Sequence, residues 1–209
     1  MPWILFPQPH SHMEPKHMNF TNSLFRTAGK IPLLRSHEWP FGKIEVVLAY
    51  NFKKRRPHEY AYLKSKYKDM LELVGRESES EEKKYIYNNF HYLQSVTEND
   101  RIDIFAHASE HMLGHYSPEA LADDLKKMSL RRVGVIKFQA CYIGKGNWLE
   151  RARDIFISKG ISFAYMTGPT NRVVWNNPFI KYVEGDRDQA YKVVKGNINK
   201  QFPGTRYTG

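Results

Sequence analysis

The 209-residue chain contains a single cysteine, Cys141. An internal disulfide is therefore excluded, and a lone thiol suits a reducing compartment and stays free for chemistry. No apolar run approaches the roughly 18 residues of a membrane-spanning helix, so no membrane span is expected. The apolar opening Met1-Pro2-Trp3-Ile4-Leu5-Phe6-Pro7 has no basic residue ahead of it and is too short for a signal-peptide core. Internal repeats and low-complexity tracts are lacking. Regular structure is not expected in residues 1–40, which are rich in proline and histidine. His10-Ser11-His12-Met13 resembles an expression scar and is set aside from metal arguments, and no metal site is expected. What remains, residues 41–209, reads as one domain with one substantial core.

The net charge of +10 is unevenly placed. Residues 131–209 hold 14 Lys and Arg against 5 Asp and Glu, a balance of +9, whereas residues 1–130 balance at +1. A C-terminal third this basic points to an anionic partner, with a solvated basic surface as the alternative.

Two short apolar runs organise the rest. Ile102-Asp103-Ile104-Phe105-Ala106 ends at His107, and Val133 to Ala140 ends at Cys141. Their β-branched and aromatic content reads as strands. Between them, Ser117 as N-cap, Pro118 at the first position, Leu121 and Leu125 four apart and Lys126-Lys127 at the end spell a helix. A strand-helix-strand crossover makes the two strands parallel neighbours and brings His107 and Cys141 to the carboxyl edge of one sheet. Further elements follow from the same rules. Strands are expected at 43–50 and 161–166, helices over 59–74, 80–93 and 147–159, a hairpin over 172–183 and a closing helix over 187–199. Gly144-Lys145-Gly146 follows the cysteine.

A cysteine thiol is a modest nucleophile at neutral pH until an imidazole or a positive field raises its thiolate fraction. His107 supplies that field and later protonates a leaving amine, while the backbone N–H groups of Cys141 and Ala108 are natural oxyanion donors. Ser109 or Glu110 is available to orient the ring.

Gln139-Ala140-Cys141-Tyr142-Ile143-Gly144 resembles the caspase nucleophile signature with one extra residue. More closely, the span from His107 to Cys141 resembles the self-processing cysteine protease domain of large bacterial toxins. There an apolar strand ends in Gly-His-Gly, followed by a Leu-Ser-Gly-Tyr-Ser-like turn, a helix of Ala-Asp-Glu-Leu-Ala type and a strand ending in Gly-Cys. Here the corresponding stretches are Ala106-His107-Ala108, Leu113-Gly114-His115-Tyr116-Ser117, Pro118-Glu119-Ala120-Leu121-Ala122 and Ala140-Cys141. The resemblance covers roughly residues 100–170. It implies a caspase-like α/β fold: a twisted, mostly parallel sheet flanked by helices, with a C-terminal β-flap and helix. It also implies a Cys-His endopeptidase activated by inositol hexakisphosphate in a host cytosol. The protein substrate would include, as one option, the chain itself. With 59–93 as an insertion, a free-standing secreted bacterial effector is expected rather than a toxin fragment. By the same resemblance, Arg172, Lys181, Arg187, Lys192, Lys195 and Lys200 would hold the inositol phosphate, with Lys53, Lys54 and Arg55 completing the site. Tyr165, Met166 and Trp175 would line an apolar pocket favouring a Leu-like residue before the scissile bond. Arg172, if buried there, would favour an acidic one instead.

Two other classes compete: a catalytically silent polyanion-binding module, and a nucleic-acid-binding protein. The second lacks a recognisable motif, so nucleic acid is not an expected partner.

Overall fold

A computed structural model of the chain describes residues 30–32, 42–73, 89–177, 180–185 and 190–200, with residues 30–32, 175–177 and 180–182 described by backbone alone. The described elements are strand β1 (Lys30–Pro32), β2 (Ile44–Leu48), helix α1 (Phe52–Arg55), α2 (Pro57–Lys66), β3 (Leu71–Glu72), β4 (Arg101–Phe105), α3 (Pro118–Lys127), β5 (Arg132–Gln139), α4 (Trp148–Ser158), β6 (Ser162–Pro169), β7 (Val173–Asn177), β8 (Ile180–Glu184) and β9 (Tyr191–Lys195).

Six strands form one sheet in the order β3-β2-β4-β5-β6-β9. All neighbours are parallel except β6 and β9. A second, antiparallel sheet has the order β1-β8-β7. The protein is thus α/β, with a mostly parallel six-stranded sheet flanked by helices.

Side-chain alternation divides the main sheet into two faces. Ile102, Ile104, Ile136 and Phe138 pack with Leu121 and Leu125 of α3 and with Trp148, Leu149 and Phe156 of α4 in the principal core. Each such fully buried side chain contributes roughly 1.5–3 kcal/mol. α3 starts as its sequence dictates: the Ser117 hydroxyl accepts from the Ala120 N–H at 3.3 Å, and Pro118 needs no N–H partner there. The opposite face carries Val46, Leu48 and Phe105 against Phe52 of α1 and Leu63 of α2.

That second face also holds charge. Arg101 and Asp103 are both fully buried, with Nε–H to Oδ1 at 2.6 Å and Nη2–H to Oδ2 at 3.1 Å. Gln139 Nε2 donates to Asp103 Oδ2 at 3.2 Å, and Lys137, opposite Asp103 in register, sets its ammonium 4.9 Å from the Tyr191 ring centre.

Four expectations are corrected. Residues 191–195, expected in a closing helix over 187–199, form β9: the Tyr191-Lys192-Val193-Val194 run is aromatic and β-branched, and β6 offers it an unpaired edge. The 59–74 helix ends at Lys66, because Leu71–Glu72 joins the free edge of β2 as β3. Phe90 to Ser95 run as turns, while the rest of the expected 80–93 helix lies mostly outside the described residues. The N-terminal stretch 1–40, expected to be irregular, contributes β1, which pairs with β8 from Lys30 opposite Glu184 to Pro32 opposite Tyr182.

Candidate active site

β4 and β5 run parallel with Phe105 opposite Gln139. His107 follows the end of β4 by two residues and Cys141 follows the end of β5 by two, so both leave the carboxyl ends of neighbouring strands. Both side chains fall on the α2 face. They line one cavity of 730 Å³ with Phe105 and Gln139 of the sheet, Phe52, Arg56 and Glu59 from the α1–α2 side, and Arg172 to Val174 from the start of β7.

His107 is held by aromatic packing: the Tyr50 ring stands edge-on at 4.7 Å between centres and Phe52 lies at 5.8 Å. Its Nε2 is 3.8 Å from the Glu59 carboxylate and makes no hydrogen bond among the described residues. Burial lowers the His107 pKa below its ordinary 6.5; Glu59 opposes that shift and Arg56 adds to it. At neutral pH the ring is therefore predominantly neutral, the form that accepts a proton.

Cys141 is half-buried. Its Sγ accepts from the Val173 N–H at 3.3 Å, and the thiol lies 3.8 Å from the Val173 carbonyl oxygen. The next residue, Tyr142, has a φ of 60°, unusual for a non-glycine, and its N–H donates to Asn171 O at 3.1 Å.

Of the two residues expected to donate to an oxyanion, Cys141 lines the cavity, whereas Ala108 is not among its lining residues and packs against the principal core. A short bridge after His107 closes through Gly114 N–H to His107 O and Ser109 N–H to Met112 O, so it leaves the Ala108 N–H aside. The Cys141 N–H is likewise in no backbone bond among the described residues. Ala108, where the toxin family has glycine, has no left-handed backbone, so its side chain brings no strain.

Several expected residues are elsewhere. Met166 is fully buried in the principal core, and Tyr165 packs beside Val135 and Ala164. The reason is register: Met166 lies opposite Ile136, five residues or about 16 Å along the strand from Cys141. From the stretch between Tyr165 and Trp175, Arg172 to Val174 line the cavity; Arg172 is exposed rather than buried, at the rim. The side chains of Trp175 and Lys181, and the whole of Arg187, lie outside the described residues. Ser109 and Glu110 do not orient His107: the Ser109 hydroxyl accepts from Met112 N–H, and Glu110 pairs with Lys145.

The expected anion ligands do not converge. Lys192 donates to Gly146 O, while Lys200 reaches Glu98 O at the amino edge of the sheet. Lys195 is exposed on β9. Lys53, Lys54 and Arg55 sit on α1 after β2, four strand spacings or about 19 Å across the sheet from β9.

Sequence reasoning missed Glu59 and Phe52, which reach the site only through the tertiary fold. Gln139 had a legible signal: two residues before Cys141 on a strand, it must share its face. Among the described residues no cluster of His, Cys, Asp and Glu is arranged to hold a metal, and no helix is long and apolar enough to cross a membrane.

The fold and the site define an α/β protein with an imidazole and a thiol on adjacent strand ends. Comparison of the chain with protein-family models, with curated proteins and with solved structures finds no match.

Proposed function

We propose that the chain is a cysteine endopeptidase of caspase-like fold, working through His107 and Cys141. The observation that carries this reading is the shared cavity: the His107 imidazole and the Cys141 thiol line it together, where adjacent parallel strands end. The strand order, with a single antiparallel strand at the far edge, is compatible with the caspase-like class.

In this reading His107 takes the thiol proton as Sγ attacks the scissile carbonyl carbon. The Ala108 and Cys141 N–H groups receive the oxyanion, and His107 returns the proton to the departing amine. Water, deprotonated by the same imidazole, then hydrolyses the thioester. An extended peptide lies along β7, whose edge away from β8 is unpaired among the described strands, and takes over the Val173 backbone groups from the thiol. Phe52, Phe105 and Val173 favour a Leu-like residue before the scissile bond. A peptide library cut after Asp and not Leu reverses that choice in favour of Arg172.

Glu59 stabilises the protonated ring. Replacing it by Gln removes the influence that, among the described residues, holds the His107 pKa up. The acidic limb of the kcat/KM profile, expected below pH 6.5 in the wild type, moves lower still in Glu59→Gln. An unmoved limb removes Glu59 from the mechanism.

We further propose the setting the resemblance implies: a secreted effector in a host cytosol, cleaving a host protein or itself and switched on by inositol hexakisphosphate. The +9 balance of residues 131–209 supports a polyanion; Arg172 beside β7, Lys181 in β8 and Arg187, which follows β8 in the sequence, are its proposed ligands. The test is cleavage of host-lysate proteins and a peptide library, titrated with inositol hexakisphosphate at physiological salt. A saturable rate increase, lost in Arg172→Ala/Lys181→Ala, is expected. Full activity of polyanion-free protein, unchanged on addition, leaves a constitutive protease.

A further inference from the structure

The Gly144-Lys145-Gly146 run after the nucleophile has no role in the chemistry above. Its surroundings supply one. Besides the Cys141 thiol on Val173 and the Lys145–Glu110 pair, the loop from Cys141 to Asn147 has three ties: Tyr142 N–H to Asn171 O at 3.1 Å, Gly144 N–H to Pro169 O at 2.8 Å, and Gly146 O, which accepts from the Lys192 ammonium at 2.7 Å. The first two ties are backbone to backbone. The third is made by a side chain that arrives from β9, on the far side of β6.

Lys192 reaches that carbonyl because residue 144 is glycine. A Cβ there would lie 3.0 Å from the Lys192 Cβ and 2.4 Å from Gly168 O, so any side chain would displace both the lysine stem and β6. Gly146 is similarly constrained: a Cβ would lie 2.7 Å from Glu110 O, in the loop that follows His107. The same ammonium is 2.6 Å from Glu150 Oε1, in the first turn of α4, where the helix dipole favours an acid. One half-buried cation therefore joins β9, the nucleophile loop and the helix that follows it.

We infer that Lys192 is a positioning residue for the nucleophile loop, holding Gly146 and Glu150 so that the backbone N–H of Cys141 stays fixed as the oxyanion donor. Its charge is already committed to the loop. A phosphate recruited by Lys192 would compete with Gly146 and Glu150 and loosen the loop.

The inference rests on the peptidase reading for its kinetic arm only. Lys192→Met keeps the aliphatic stem and removes the ammonium; Lys192→Arg restores a cation. In Lys192→Met, kcat falls about 100-fold with KM nearly unchanged, the scale expected for a misplacement on the order of 1 Å. Lys192→Arg recovers part of it. Alkylation of Cys141 by iodoacetamide, which needs no oxyanion donor, proceeds within about twofold of wild type. Hydrogen exchange supplies an arm independent of activity: Tyr142 and Gly144 amides exchange at least about tenfold faster in Lys192→Met, with core amides of β5 unchanged. Wild-type cleavage matched by Lys192→Met overturns the inference and leaves the peptidase reading standing. Wild-type inactivity overturns that reading, and the exchange result then decides the clasp: unaltered protection of Tyr142 and Gly144 refutes it.

Discussion

If the proposed peptidase reading holds, Cys141→Ala and His107→Ala are each expected to abolish peptide-bond cleavage, by at least about a thousandfold in kcat/KM, while the chain stays folded. Neither side chain supports the core: Cys141 is half-buried and packs against the small cluster of Val173, Val183 and Ala190, and His107 is 43% exposed. The thermal midpoint therefore moves little in either variant. The two losses are not additive. An imidazole without its thiol, or a thiol without its base, leaves the same residual rate, because one proton passes between them. The decisive measurement is the double variant beside the two single ones. A double variant whose loss is the product of two independent losses separates the residues into unrelated roles, and residual cleavage in Cys141→Ala assigns the nucleophile elsewhere.

A large loss of stability is expected from Asp103→Ala. Its carboxylate is fully buried and accepts two bonds from Arg101 and one from Gln139, with Lys137 facing it across β5. Removing it takes the Asp103 charge away from a buried guanidinium, an expected loss of about 3–5 kcal/mol. A domain of this kind is stable by about 5–15 kcal/mol in total, so the urea midpoint falls by a large fraction. Asp103→Asn, which keeps the shape and part of the hydrogen bonding, loses nearly as much because the charge is what Arg101 requires. A change below about 1 kcal/mol in both variants means that water reaches Arg101 and the pair is not buried in solution.

The same cluster predicts a pH dependence. Burial lowers the Lys137 pKa from its ordinary 10.5 to about 7, with Arg101 adding to the shift and Asp103 opposing it. Between these two values the unfolded chain binds a proton that the folded chain does not. Stability therefore rises as pH increases from about 7 toward 10. Above about pH 10 the trend reverses, because burial and nearby Asp103 keep Tyr191 protonated in the folded state while unfolded tyrosines ionise. Lys137→Met flattens the rise.

Much of the site was readable without coordinates. The apolar runs ending at His107 and Cys141, and the Ser117-Pro118 start and lysine end of α3, are local patterns. Their energetics are settled within a few residues: alternation buries one strand face, and a cap satisfies a helix end. The crossover rule then makes β4 and β5 parallel neighbours whatever else the chain does. The tertiary structure decided what depends on partners distant in sequence. Tyr191 to Lys195 became β9 because the edge of β6 needed a partner, and Leu71–Glu72 left a helical pattern for the edge of β2. Glu59 came to His107 only because α2 packs Leu63 against Phe105. Lys192 and Lys200, both counted as anion ligands by charge, parted to opposite edges of the sheet. Charge and apolarity are properties of single residues and are legible in a string, but convergence in space is set by strand register and order, which depend on the pairing energy of the whole sheet.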